Sequence, residues 1–194
     1  MSAIVERAPA KVNLLLRVGA PTPTGMHPLC SLFARLDLSD VVTVEQAAED
    51  GVLCPGVAGQ NLASRAIATY RAAAGGASAV PPMRVTIHKR IPVAAGMGGG
   101  SADAAAVLRG VAALTGHPVG PEQLVALARE LGSDVPSQLE PGHAVVGGQG
   151  EVVESVNLAT MAVVLIPDRE GLSTEAVYAE LDRLRTAGLA PERT

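Results

Sequence analysis

The sequence predicts an α+β fold, and three observations carry that prediction. Strand-length apolar runs fill the chain up to Glu45 before any strong helix signal appears. The well-formed helices cluster in the middle, and strand-like runs return toward the C-terminal end. This order is not the regular strand–helix alternation of a parallel α/β sheet, and no segment repeats another.

Taken in order, Ile4–Ala8 and Val12–Val18 read as two strands split by Pro9, which has no N–H to give a ladder. The second is almost continuously apolar, the pattern of a strand buried on both faces. Gly19–Pro28 mixes Gly, Pro and Thr and reads as a loop. Leu29–Leu38 and Val41–Glu45 predict two more strands with a turn at Ser39–Asp40, and Glu49–Gln60 is loop-like. Asn61 caps a helix over Leu62–Ala74 that Gly75 and Gly76 end. Met83–Lys89 alternates as a strand, and Arg90–Gly100 is a loop that turns glycine-rich. Ser101–Leu114 is an alanine-rich helix with Leu and Val at core spacing, closed near Gly116. Pro121 opens a helix that runs to Leu131 and stops at Gly132, with Glu122 complementing its dipole. Ser133–Leu139 is a short turn, Ala144–Val146 and Met161–Ile166 are strands, and Thr174–Ala187 is a last helix. The composition changes at Gly147–Gly150, which marks the expected domain boundary.

Composition narrows the function classes. The 194 residues are 48% hydrophobic and 18% charged, enough for a packed core and unlike a disordered chain. A net charge of -4 and 2% aromatic residues argue against a nucleic-acid partner or an anionic membrane surface. Phe33, Tyr70 and Tyr178 are the only aromatic side chains that a ligand site could use. Cys30 and Cys54 form no CxxC pair and have no His at ligand spacing, so they read as free thiols. The N-terminus lacks a signal-peptide core, and the longest apolar run, Met161–Ile166, is too short to span a bilayer. A soluble cytoplasmic protein is expected.

The segment Ile91–Asp103 is the most informative. It lies between a predicted strand and a predicted helix and carries Gly96, Gly98, Gly99 and Gly100. Glycines let the backbone turn and approach a ligand, and free N–H groups at a helix start favour an anion. The physical expectation is a phosphate cradle, with a flexible surface connection as the alternative. It is not a Walker A loop, because Ser101-Ala102 follows Gly100 where Lys and Ser or Thr are needed. It is not the dinucleotide fingerprint either, because Ser101 stands five residues after Gly96. Asp103, in the first turn of the predicted helix, is read as a dipole partner.

Three blocks resemble the GHMP kinases, and within them the 4-diphosphocytidyl-2-C-methyl-D-erythritol kinases of non-mevalonate isoprenoid synthesis. They are Pro9–Leu14 with Gly25-Met26-His27 and Leu32-Phe33; Ile91–Ala106; and Leu131–Pro136 leading to Gly142-His143-Ala144. The resemblance implies a GHMP kinase N-terminal domain of the ribosomal protein S5 domain 2-like type over residues 1–150. Residues 151–194 would be the incomplete start of a second α/β domain. It implies transfer of the ATP γ-phosphoryl group to a hydroxyl of a small molecule, with Mg²⁺ accompanying ATP and no protein metal site. By similarity, Asp134 orients or accepts the hydroxyl proton and Lys11 steadies the phosphoryl group. Pro92, Val93, Ala94, Ala95, Gly96, Met97, Gly98, Gly99, Gly100, Ser101 and Ala102 would hold ATP, with Asn61 near the adenine. Asn13, Met26, His27 and Tyr178 would hold the substrate, His27 bonding the cytosine and Tyr178 stacking on it.

The chain departs from the family pattern at named positions. Met26 stands where the family has Tyr, Ala102 where it has a second Ser, and Ser137-Gln138 where apolar or aromatic residues are usual. No third glycine-rich motif follows residue 150. An incomplete second core would leave apolar surface exposed and imply self-association. Homoserine- or mevalonate-type kinases are the alternative within the superfamily. A nucleotide-binding relative without turnover is the alternative outside catalysis.

Overall fold

The computed structural model describes residues 2–23, 25–57, 61–116, 118–140, 142–167, 171 and 173–190. The end of the predicted 49–60 loop, 58–60, and the terminal residues 191–194 lie outside the described residues.

The first two predicted strands are one, β1 (Ala3–Val18). Pro9 sits inside it, opposite Ser39, and the ladder shifts register between Pro9 and Lys11 and again between Asn13 and Leu15. Such irregularities accommodate a residue without an N–H and re-aim the side chains beside it. The apolar stretch is not buried on both faces as predicted: Leu14, Leu15 and Leu16 are 43%, 44% and 46% exposed. Among the described residues, β1 pairs β2 alone and lies at a margin of the sheet.

The next two predicted strands are also one, β2 (Leu29–Gln46), with no turn at Ser39–Asp40. Asp40 is tolerated in mid-strand because its carboxylate is fully buried and bonded on both oxygens. β2 is the spine of the sheet. One edge pairs antiparallel with β1 along most of its length. The other edge is shared: residues 41–46 pair β4 (Met83–His88) and residues 29–33 pair β5 (His143–Gly148), both antiparallel. Among the described residues, 34–40 therefore have no strand partner on that edge, and the site is assembled beside this gap.

Two short strands escape the periodicity reading. β3 (Gly51–Leu53) runs parallel to β4, and β6 (Val152–Val156) forms a hairpin with β5 at the far edge. Met161–Ile166 is not a strand, and Val164 and Ile166 are 86% and 90% exposed. An apolar run becomes a strand only where a ladder and a core receive it.

The helices follow the sequence closely. They are α1 (Leu62–Ala73), α2 (Gly99–Thr115), α3 (Pro121–Leu131) and α4 (Thr174–Thr186). Asn61 accepts from the Ala63 amide and caps α1 as predicted. The turn before β5 contains one 3₁₀ turn, Pro136–Gln138. The main core lies between the sheet and α1–α3, joining Val42, Val44, Val85 and Ile87 to Ile67, Tyr70, Val107, Leu108 and Val111. Helices on one face of a mostly antiparallel sheet make this α+β, as predicted. Among the described residues, no helix is long and apolar enough to cross a membrane.

Candidate active site

Lys11 and Asp134 lie 123 positions apart in the chain (134 − 11) and meet at the gap beside β2. Lys11 Nζ is 3.5 Å from Asp134 Oδ2, donates to Asn13 Oδ1 at 2.8 Å and sits 4.6 Å from the Phe33 ring centre. Asn13 is itself held: its amide donates to Ser31 Oγ at 2.7 Å, and that hydroxyl donates to the Leu15 carbonyl at 2.7 Å. Lys11 is 6% exposed, so its charge is aimed by packing rather than left to wander. The Asp134 carboxylate makes no cap bond to the 3₁₀ turn, and its carbonyl accepts from the Ser137 hydroxyl at 2.8 Å. Behind Asp134, the β5–β6 turn closes on Ser133. A Cβ on Gly150 would fall 2.2 Å from the Ser133 carbonyl oxygen, so only glycine lets that turn seat the segment.

The glycine loop packs against the same lysine. The Lys11 amide donates to the Met97 carbonyl at 3.0 Å, tying the loop to β1. Gly98 caps α2 with φ 67°, and a Cβ there would lie 3.2 Å from two Lys11 side-chain carbons. The start of α2, with its free amides and positive dipole end, thus opens beside an ammonium group. Asn61, Pro92–Gly100 and Ser101 line one cleft of about 400 Å³. Lys11, Asn13, Met26, His27, Phe33, Asp134 and Tyr178 line a second of about 950 Å³. Ala94, Ala95, Gly96, Gly98 and Ser101 line both, so the clefts meet at the loop. Ala102 lines neither. Its side chain is 1% exposed in the core, and its amide donates to the Gly98 carbonyl.

Sequence reasoning missed the buried charges that hold this loop. Lys89 Nζ bonds Asp40 Oδ2 at 2.5 Å and Asp103 Oδ2 at 2.8 Å. Asp40 Oδ1 also takes the amides of Arg90 (2.5 Å) and Ile91 (2.8 Å), where the loop begins. Asp103 is therefore not a first-turn dipole partner. The helix begins at Gly99, earlier than predicted, and the carboxylate turns inward to Lys89. Burial works against the Lys89 charge, but its hydrogen bonds to the carboxylates of Asp103 and Asp40 outweigh it and hold its pKa above the ordinary lysine value. Burial pushes Asp103 up to about 6; Lys89 opposes this and Asp40 reinforces it. Across the gap, Arg35 ties down the segment after Asp134, donating to the carbonyls of Ser137 and Gly142. Burial, then Arg109, lower its pKa to about 10, while Asp134 pulls it back up. The signal for both was present: Asp40 and Arg35 are charges inside an apolar strand.

A pH test follows from Asp103. Its carboxyl moves from an ordinary 3.8 to about 6 on folding. The folded chain then holds a proton in that window that the unfolded chain has lost, so this group adds stability as pH falls through it and costs stability as pH rises. Between about pH 7.5 and about pH 5 the wild type is expected to gain on the order of 1 kcal/mol relative to Asp103→Asn. Urea midpoints for the two proteins measure this, and parallel pH profiles would show that Asp103 does not titrate there.

At the far end of the larger cleft, the remaining predicted substrate residues come together. His27 and Tyr178 meet edge to face, 5.1 Å between ring centres at 68°. Burial first, and then the Asp134 charge, raise the Tyr178 phenol pKa. Met26 is 46% exposed at the mouth.

The profile of the GHMP kinases N terminal domain matches residues 61–142. A 4-diphosphocytidyl-2-C-methyl-D-erythritol kinase of Saccharopolyspora erythraea is 41% identical over 190 residues, covering 94% of this chain and 60% of the relative. One from Nocardia farcinica is 43% identical over 195 residues, covering 98% and 64%. A crystal structure of 4-(cytidine 5'-diphospho)-2C-methyl-D-erythritol kinase superposes with a TM-score of 0.68 at 42% identity, over 80% of this chain and 56% of that one. Methanococcus jannaschii mevalonate kinase shares the fold alone, with a TM-score of 0.58 at 13% identity. The chain thus spans less than two thirds of the length of these relatives. With its ordered blocks, its glycine loop and these matches, the chain carries a GHMP kinase N-terminal domain.

Proposed function

We propose that this chain binds ATP and transfers its γ-phosphoryl group to a hydroxyl of 4-diphosphocytidyl-2-C-methyl-D-erythritol, a step of non-mevalonate isoprenoid synthesis. The observation that carries the proposal is the Lys11–Asp134 pair, 3.5 Å apart, in a cleft that adjoins the glycine-lined one. The nucleotide phosphates lie along the amides at the start of α2, where a Cβ on Gly98 would crowd the Lys11 side chain. Asp134 takes the proton of the substrate hydroxyl as its oxygen attacks the γ-phosphorus. The bond to the β–γ bridging oxygen breaks and ADP leaves, while Lys11 offsets the charge on the transferring group. Asn13, fixed by Ser31, holds Lys11 in register. Mg²⁺ would accompany the nucleotide, carried in on its phosphates.

We assign residues 1–150 to the nucleotide-binding domain and 151–194 to the opening of a second. The main core runs only to Leu139, and α4 has no buried residue, which supports that division, although β6 still pairs with β5 in the first sheet. A cytoplasmic location fits the free thiols Cys30 and Cys54.

The test is ADP release by the full chain with ATP and, in separate reactions, the diphosphocytidyl sugar alcohol, mevalonate or homoserine. Release with the first alone is expected. Release with mevalonate or homoserine instead, or nucleotide binding with no release in any reaction, overturns the assignment.

A further inference from the structure

The 3₁₀ turn after Asp134 ends in a polar side chain that the chemistry above does not use. Gln138 is 2% exposed, and among the described residues neither Nε2 nor Oε1 of its side chain has a hydrogen-bond partner. It stands at one of the positions where the sequence departs from the resembled pattern. Burying an amide without a partner costs stability that an apolar side chain of the same shape would not. Such an orphan calls for a partner that arrives in another state of the molecule.

The glycine loop lies beside it. A Cβ on Gly98 would fall 3.4 Å from Gln138 Nε2 and 3.2 Å from two carbons of the Lys11 stem. Gly98 is thus wedged between the amide and the lysine, and its bare backbone has room to close on Gln138. Gln138 is fixed from behind. Its main-chain N–H donates to the Val135 carbonyl at 3.0 Å, and its carbonyl accepts from Arg109 Nη1 at 2.8 Å. The loop is the softer partner: Gly96 and Gly98 have φ of 71° and 67°, and Ala94 is held at 57°, a left-handed value that an alanine adopts only under constraint.

One peptide joins the two functions. The Gly98 carbonyl accepts from the Ala102 amide at 2.9 Å, and its second lone pair can take another donor. The same peptide group ends in the Gly99 N–H, the first amide of α2, which has no partner within the helix. A donor on the carbonyl polarises the peptide and strengthens this N–H toward an anion. An anion on the N–H likewise makes the carbonyl a better acceptor.

We propose that Gln138 is a positioning residue for the nucleotide phosphates: as they seat on the start of α2, its Nε2 donates to the Gly98 carbonyl and fixes the glycine loop against Lys11. This rests on the ATP reading proposed above. It couples the loop to the segment that carries Asp134, four residues before Gln138.

The test compares the full wild-type chain with Gln138→Met, which keeps the length of the side chain and removes both amide atoms. Urea midpoints read the stability without ligand, and calorimetric titration with Mg²⁺ and the β,γ-imido analogue of ATP reads affinity. The two are expected to move in opposite senses. The midpoint rises by about 0.5 M, because no amide stays buried without a partner. Affinity falls about three- to tenfold, the scale of one net hydrogen bond. A side chain that only fills the core would move the midpoint and leave affinity alone. In ¹⁵N-labelled wild type, the Gln138 side-chain N–H signals, assigned by their loss in Gln138→Met, are expected to shift as the analogue saturates the chain. A lowered midpoint, or side-chain signals that stay in place in the saturated chain, overturns the proposal. A wild type that binds the analogue while Gln138→Met matches its affinity fails the positioning reading alone. A wild type that binds no analogue fails the ATP reading, and this one with it.

Discussion

Asp134→Ala is expected to lower turnover by about a hundredfold to ten-thousandfold, the range of a lost general base. Binding of a non-hydrolysable ATP analogue is expected to persist, because Asp134 lines the larger cleft and not the glycine-lined one. Asp134→Asn keeps the shape and removes the base, so it is expected to lose nearly as much. The carboxylate makes no cap bond to the 3₁₀ turn, so its removal strips no backbone partner. Phosphoryl-transfer rates and analogue affinity, measured together, check this. A variant that keeps its rate would remove Asp134 from the chemistry. One that loses analogue binding along with rate would make it a structural residue.

Asp40→Ala is expected to destabilise the fold by about 3–5 kcal/mol, the cost of breaking a buried ionic network by deleting one partner. Asp40 is fully buried and holds Lys89 together with the amides of Arg90 and Ile91. Without it both amides at the start of the glycine loop lose their acceptor, and Lys89 keeps only Asp103. The loop would detach from β2 as the fold weakens, so ATP-analogue affinity is expected to fall in the same variant. Urea unfolding at neutral pH reads the first effect and analogue titration the second. A variant within about 1 kcal/mol of wild type would mean that the network is not needed for stability.

Much of the fold was legible because its signals are local. Asn61 caps α1, Gly116 ends α2 and Pro121 opens α3, each by backbone chemistry confined to a few residues. The misreadings share one cause. Pro9 looked like a break and Ser39–Asp40 like a turn because local propensity disfavours them in strands. Long-range partners overrode that preference: a register shift opposite β2 for one, Lys89 and two amides for the other. Met161–Ile166 failed in the opposite sense, having strand composition and no ladder to enter.

By itself the sequence determined the α+β class and the glycine loop before α2, because residue order and backbone preference are properties of the chain alone, while Lys11 and Asp134 stood out only through the resemblance to the GHMP kinases. Tertiary structure decided that Lys11 and Asp134 lie 3.5 Å apart and that Asp103 turns inward to Lys89. It also decided that His27 shares its edge with Asp182. These are contacts between residues distant in sequence. They form where β4 and β5 leave residues 34–40 of β2 uncovered and where α4 reaches back to β1, and no local pattern encodes such a meeting.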